Sequence, residues 1–146
     1  MALLKRFDHV GITVPDLDTA AAFFRGLGFE EEGRAWMEGE FVDTVIGIPS
    51  SRSQIVTLRL SGDGFRVELS CFERPDHEPG SPSALANELG LRNLCFEVDD
   101  IDATIGWLVG GGYAVVGGVG QLADQWRMAY VRGPAGITVA LAQRLR

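Results

Sequence analysis

The sequence is poor in cysteine, histidine and positive charge. Its 146 residues include two cysteines, two histidines, and 13 lysines and arginines against 20 aspartates and glutamates, a net charge of −7. This charge repels phosphate, so nucleic acid and anionic membrane surfaces are excluded as partners. Cys71 and Cys95 lie in apolar strand-like runs, where a reduced core thiol is expected and a disulfide is not.

Long apolar runs are also missing. No run approaches the ~18 residues of a membrane span, and the N-terminal MALLKRFDHV holds no apolar stretch of signal-peptide length. We therefore expect a cytoplasmic protein with a small-molecule or protein partner. A chain of this length forms one domain or two intimate half-domains with a real core.

The sequence does contain an internal repeat. HVGITVPDLDTAAAFFRGLGF (9–29) aligns without a gap with NLCFEVDDIDATIGWLVGGGY (93–113), and GFRVELS (64–70) aligns with GITVALA (136–142). The offset falls from 84 to 72 residues, so the first half carries twelve more residues of loop. Repeated units pack with matching faces, so equivalent positions should meet around one site. The equivalent pairs are His9 with Asn93 and Glu68 with Ala140.

The spacing of apolar residues, together with capping and turn residues, predicts the elements of each half. A strand is predicted at residues 5–14, followed by a helix that Asp16 or Asp18 caps and that ends at Gly26–Gly28; its second copy runs from Asp100 to Gly112. Two segments, 41–53 and 73–89, are predicted to be long loops and are candidates for a lid or a dimer contact. Further strands are predicted at 28–37, 53–60, 65–72, 113–118, 126–132 and 137–143.

Strand alternation separates two faces. One face is apolar and is predicted to pack under the two helices. The opposite face mixes small residues with a few polar ones, which is typical of a concave, partly polar ligand cavity. The residues predicted to line it are His9, Gly11, Thr13, Arg66, Glu68, Ser70, Asn93, Cys95, Glu97, Thr138, Ala140 and Ala142.

The segments FDHVGITVPDLDTAAAFFRGLGF, VELS, GLRNLCFEVDDIDA and RGPAGITVAL resemble the vicinal oxygen chelate superfamily over nearly the whole chain. That superfamily includes glyoxalase I, methylmalonyl-CoA epimerase, extradiol dioxygenases, fosfomycin-resistance enzymes and bleomycin-resistance proteins. The resemblance implies an α+β fold with two tandem βαβββ modules forming a cupped mixed sheet. Residues 1–146 would then be a single domain, with modules at about 5–72 and 92–143 and a connecting loop at 73–91. It also implies a homodimer with the site inside the cup.

The resemblance further implies where a metal would bind. Metal-dependent members carry a ligand at four repeat-equivalent positions, and His9 and Glu68 match two of them. Asn93 stands where the second half usually has His, and Ala140 where it usually has Glu. A divalent ion needs three or four donors, so no cofactor is expected and a divalent metal is the alternative. Otherwise His9 and Glu68 form a hydrogen-bonded pair without chemistry, or Glu68 acts as a general base.

Aromatic residues complete the expected site. Trp107 aligns with Phe23 and is predicted to be core, and His77 in a proline-rich loop is predicted to be solvated. Trp36 and Trp126 adjoin loops that would rim the cavity, where each is a stacking surface for a planar ligand or part of the core. The expected ligand-binding set is His9, Thr13, Trp36, Phe41, Arg66, Glu68, Asn93, Glu97, Trp126 and Ala140.

Two functions stay open at this point, because the fold hosts both enzymes and binders. The first is a binding protein that resembles the bleomycin-resistance branch and sequesters a bulky, partly aromatic natural product without metal, as in antibiotic resistance. The second is an enzyme of the glyoxalase I or methylmalonyl-CoA epimerase type that uses Glu68 alone or with His9 and a metal. Loss of half the ligand set favours binding, which is the expectation carried forward.

Overall fold

A four-stranded sheet with a helix against one face forms the first half of the chain. The computed structural model describes residues 3–62 and 64–146, and this first unit is Met1–Pro79. The strand order is β1-β4-β3-β2, with β1 parallel to β4 and the other neighbours antiparallel. Its elements are β1 (Val10–Thr13), α1 (Leu17–Gly26), β2 (Phe29–Glu38), α2 (Glu40–Ile46), β3 (Arg52–Leu60) and β4 (Arg66–Arg74).

The second unit, Gly80–Arg146, repeats this topology with five strands. The order is β5-β9-β8-β6, and β7 pairs with the other end of β8, so β6 and β7 together correspond to β2. The α+β fold class is confirmed. The elements are β5 (Leu94–Glu97), α3 (Ile101–Gly110), β6 (Ala114–Val115), β7 (Gly120–Leu122), β8 (Trp126–Arg132), a 3-10 turn (Pro134–Gly136) and β9 (Thr138–Arg144).

The two repeat-equivalent helices begin at the predicted caps. The Asp16 carboxylate accepts from the backbone N–H of Thr19 at 3.1 Å, and Asp100 accepts from Ala103 at 3.0 Å. Each carboxylate satisfies an N–H group that the first turn leaves without a helical partner. The apolar sides of the helices cover the predicted core faces. The fully buried residues there include Phe24, Leu58, Val67 and Leu69 in the first unit and Ile101, Leu108, Val131, Val139 and Leu141 in the second.

Three predictions about elements are corrected. The segment 41–53 is not one long loop, because Glu40–Ile46 forms α2, which ends at Gly47 in the left-handed region (φ 73°). The helix is short and rich in β-branched residues, so it gives little sequence signal. The first strand begins at Val10 rather than near residue 5, and Gly120–Leu122 adds β7, which the glycines around it concealed.

Over residues 3–62 and 64–146, the structure contains no helix that is both long and apolar enough to span a membrane.

Candidate functional site

In the first unit, His9 and Glu68 meet on the sheet face opposite α1. Gly11 pairs with Glu68, and His9 precedes Gly11 by two residues, so both side chains point to the same side. His9 Nε2 lies 3.6 Å from Glu68 Oε2, and the two side chains are 38% and 33% exposed. A small molecule lying on this face can reach both groups.

Asp8 holds the other edge of the His9 ring. His9 Nδ1 lies 2.8 Å from Asp8 Oδ2, and Asp8 also pairs with Arg6 at 3.1 Å. An ionised carboxylate only accepts hydrogen bonds, so Nδ1 carries the proton. The hydrogen bond from His9, more than the charge of Arg6, lowers the pKa of Asp8. The other ring nitrogen, Nε2, faces the Glu68 carboxylate. Asp8 was not predicted, and its adjacency to His9 was the only signal for it.

Two further predicted residues share this face. Thr13 pairs with Ser70, two residues beyond the Gly11–Glu68 pair along each strand. Arg66 Nε donates to Glu32 Oε1 at 2.7 Å, and this hydrogen bond raises the pKa of Arg66. Because Glu32 already neutralises the guanidinium charge, Arg66 is a fixed polar group at the edge of the site rather than a free cation.

Trp36 lies on the other face of the same sheet. A β-bulge between Glu31 and Gly33 shifts the pairing by one residue, so Trp36 pairs with Gln54 on the helix side. Arg52 covers its ring, with the guanidinium carbon 4.0 Å from the ring centroid. The sequence placed Trp36 beside a loop at the cavity rim, as a stacking surface or as core, and the structure puts it on the face away from His9 and Glu68. Phe41, the other predicted aromatic residue of this unit, is 77% exposed on α2.

The second unit holds a neutral pair at the equivalent positions. Cys95 pairs with Ala140 in the register by which Gly11 pairs with Glu68, so the repeat is preserved in the sheet. Asn93 Nδ2 donates to the hydroxyl of Tyr130 at 3.1 Å, and Tyr130 is the cross-strand neighbour of Ala140. Ala140 is only 1% exposed. The expectation that Ala140 leaves open room for a ligand is therefore corrected.

The register of β8 with β9 orients Trp126. Trp126 pairs with Arg144 and lies on the face that also carries Tyr130 and Ala140. The guanidinium carbon of Arg144 is 4.6 Å from the Trp126 ring centroid, and Arg144 Nε is 3.8 Å from Glu97 Oε1. An open apolar pocket of about 260 Å³ adjoins the ring. It is lined by Gly120, Gln121, Leu122, Trp126 and Met128.

The donor chemistry does not fit the metal site of the metal-dependent members. Three or four donors would be needed, and only His9 and Glu68 offer strong ones. The Asn93 amide is a poor ligand, and the Ala140 side chain has no donor atom. In the part of the chain that the structure describes, no three His, Cys, Asp or Glu side chains form a group that could hold a metal.

Three predictions outside the site are also corrected. His77 is not merely solvated, because its Nε2 accepts a hydrogen bond from the Phe72 backbone N–H at 2.9 Å. Trp107 is 51% exposed rather than core. Both cysteines are free, but Cys95 is exposed, whereas burial raises the pKa of the partly buried Cys71 thiol.

Comparison with known proteins agrees with this architecture. A profile of the Glyoxalase/Bleomycin resistance protein/Dioxygenase superfamily matches residues 8–130. The chain is 30% identical over 115 residues to an ethylmalonyl-CoA/methylmalonyl-CoA epimerase from Cereibacter sphaeroides, covering 79% of this chain and 77% of that protein. A solved glyoxalase family protein from Bacillus cereus shares 37% identity, with a TM-score of 0.94 over 100% of this chain and 99% of its own. TnmS3, an antibiotic binding protein from Streptomyces sp. CB03234, shares the fold alone, with 21% identity and a TM-score of 0.64 over 99% of each chain.

Proposed function

The chain belongs to the Glyoxalase/Bleomycin resistance protein/Dioxygenase superfamily, and on that premise we propose that it is a small-molecule binding protein. Its ligand is a bulky, partly aromatic compound, which the protein sequesters without a metal. The observation that carries the proposal is the open apolar surface around Trp126, on the sheet face that also carries Tyr130.

The energetics of this surface favour a flat ligand. Leu122 and Met128 beside the ring are 66% and 41% exposed, so they retain apolar area for a ligand to cover. Covering roughly 100 Å² of apolar surface contributes about 2.5 kcal/mol, and aromatic stacking adds about 0.5–1.5 kcal/mol. Displacing an exposed arginine such as Arg144 from the ring costs about 0.5–1 kcal/mol. The apolar and stacking contributions exceed the cost of displacing Arg144, so this arginine does not block a planar group.

The equivalent positions in the two halves support a ligand held without metal. Asn93 and Tyr130 already satisfy each other by a hydrogen bond. They offer a neutral polar contact, and a buried Ala140 beside them adds no charge. TnmS3 is named as an antibiotic binding protein; its likeness is one of fold, and it suggests antibiotics as the first compounds to test. We also propose that the protein is a homodimer.

The two arginine-covered tryptophans make a matched test. Isothermal titration calorimetry against a panel of planar antibiotics should identify a ligand for the wild-type protein. Trp126→Ala should then raise its Kd about 30-fold, because a stacking anchor is worth on the order of 2 kcal/mol. Trp36→Ala removes the same type of side chain from the helix side of the sheet in the first unit, and it should leave the Kd unchanged. Equal losses in both variants would contradict the proposed surface.

A second candidate function is proton transfer at Glu68. It is favoured by the arrangement of Asp8, His9 and Glu68 in a row, in which His9 Nδ1 is hydrogen-bonded to Asp8 and His9 Nε2 faces Glu68. Such a row can take a proton from a carbon acid and return it, which is the chemistry an epimerase needs. The similarity to the Cereibacter sphaeroides epimerase supports this candidate.

Glu68→Gln separates the two functions. A binding protein should lose no more than the ~1–1.5 kcal/mol of one hydrogen bond in ligand affinity. An enzyme should lose about 100-fold or more in turnover, with a much smaller change in substrate affinity. Epimerase and glyoxalase assays on this variant, with the loop substitution Glu78→Gln as control, decide between them. Robust turnover that only Glu68→Gln abolishes would reverse the order of the two candidates.

A further inference from the structure

A small pocket in the second unit is lined by two guanidinium groups whose positive charge is only partly neutralised. It lies between the 84–86 segment and the sheet face that carries Tyr130, and it has room for about 10 Å³, or one water-sized group. Its lining residues are Ala84, Leu85, Ala86, Arg92, Val116, Tyr130, Arg132 and Thr138.

Arg92 lines this pocket and carries an unsatisfied donor. Its Nη1 donates to Glu88 Oε2 at 3.0 Å, but its buried Nε has no hydrogen-bond partner. A buried donor without a partner destabilises the folded state, so each one calls for a physical reason, such as an ordered water molecule or a bound ion. No other buried side-chain nitrogen or oxygen in the described ranges, 3–62 and 64–146, lacks a partner.

Arg132 brings a second positive charge. Its two Nη groups donate to the backbone carbonyls of Pro82 and Ala84 at 2.9 and 2.8 Å, which fixes the guanidinium in place. Among the residues described, Arg132 has no ion pair. Two guanidinium charges against the single carboxylate of Glu88 leave this pocket with one excess positive charge.

The pocket's hydrogen-bonding groups discriminate between a water molecule and an anion. Guanidinium groups donate only, and the nearby Pro82 and Ala84 carbonyls are already engaged by Arg132. The Tyr130 and Thr138 hydroxyls can each donate or accept. An anionic oxygen can accept from all of these groups and offsets the excess positive charge, which a neutral water molecule does not, and guanidinium–carboxylate bonds are about twice as strong as neutral ones.

We propose that this pocket binds one carboxylate group. The carboxylate comes either from a free small acid or from the compound that the Trp126 surface holds, and the second source rests on the proposed function. Formate is the simplest probe, because one of its oxygens fits the pocket and the rest of the ion extends outward. Formamide has the same shape without the charge.

Thermal denaturation in formate and in formamide, at ionic strength held constant with sodium chloride, tests the site. Formate should raise the midpoint and formamide should not, because a ligand that binds only the folded state stabilises it. Arg92→Met should weaken the apparent Kd for formate about tenfold or more, through loss of a charged hydrogen bond. Glu88→Gln should tighten it about 2–5-fold by removing the competing carboxylate, and this variant decides the matter even if Arg92→Met fails to fold.

Arg127→Gln is the matched control. It removes the same charge from the same unit, but Arg127 pairs with Asp102 on α3, on the face away from the pocket. Its formate Kd should equal that of the wild type. Equal responses to formate and formamide, or equal weakening in Arg127→Gln and Arg92→Met, would overturn the proposal in favour of a water-filled pocket or general charge screening.

A rod-shaped aromatic acid distinguishes the two sources of the carboxylate. Trp126 and Tyr130 are four residues apart on one strand, or about 13 Å, which p-terphenyl-4-carboxylate can span. Preference for this acid over its carboxamide, lost in Arg92→Met, assigns the carboxylate to the ligand. Equal affinity for acid and amide, beside a positive formate result, assigns it to a free acid. If neither aromatic compound binds but formate does, the proposed function fails while the carboxylate site stands.

Discussion

Replacing Gly136 with alanine should push the backbone near Pro82 away from the second sheet. A Cβ on Gly136 would lie 2.6 Å from the Pro82 carbonyl oxygen and 2.8 Å from its carbonyl carbon, and no side-chain rotation relieves contacts with backbone. Gly136 also has a φ of +78°, which disfavours an L residue by about 1–2 kcal/mol. Overpacking a tight site adds about 1–3 kcal/mol. The free energy of unfolding should therefore fall by about 2–5 kcal/mol.

The displacement should also be visible locally. Arg132 holds the Pro82 and Ala84 carbonyls, so moving Pro82 breaks contacts that fix the 80–91 segment. Urea unfolding followed by circular dichroism measures the loss of stability, and limited proteolysis should cut the variant faster in this segment.

Gly112→Ala is the control for backbone strain. Gly112 has a φ of +96° and no atom within 4 Å of a built Cβ, so its replacement carries only the conformational cost of about 1–2 kcal/mol. If Gly136→Ala is no more destabilising than Gly112→Ala, the close approach of Pro82 to Gly136 is refuted.

Three further outcomes are expected. The hydrogen bond from the Ser51 hydroxyl lowers the pKa of Asp43 from its ordinary 3.8, so the stability it gives is present above that value and is lost as the pH falls through the folded-state pKa. Asp43→Asn should therefore flatten the fall in thermal midpoint below about pH 4, measured beside the wild type. Leu69→Ala at a fully buried position should lower the free energy of unfolding by about 2–5 kcal/mol, whereas Leu89→Ala at a 95% exposed position should change it by about 0.5 kcal/mol or less in urea titrations. Light scattering at micromolar concentration should give about twice the 15.8 kDa chain mass, and a strict monomer would contradict the proposed dimer.

The repeat was the strongest signal in the sequence, and it predicted the fold well. It made Gly11 equivalent to Cys95 and Glu68 equivalent to Ala140, and the two sheets accordingly pair Gly11 with Glu68 and Cys95 with Ala140 in the same register. These features are local or periodic: a cap needs one carboxylate three residues before an N–H group, and a strand face needs alternation. The same alternation predicted that His9 and Glu68 lie on one face.

The positions of the aromatic residues could not be predicted in this way. Counting by twos from the buried Phe29 places Trp36 on the face of Glu68, but the bulge between Glu31 and Gly33 reverses the alternation. A bulge adds one residue to one strand only, and a shift of one residue exchanges the two faces. The sequence of β2 alone does not show where its pairing with β3 shifts by one residue.

The sequence by itself determined the fold class, the helix caps and the strand faces on which His9 and Glu68 lie, because each depends on residues close in the chain or on a strict period. Only the tertiary structure decided that Asn93 donates a hydrogen bond to Tyr130, that Ala140 is buried, and that Arg92 and Arg132 line one pocket. These outcomes depend on which strands become neighbours and in what register. That choice is made by packing over the whole unit, where each side chain competes for the same space.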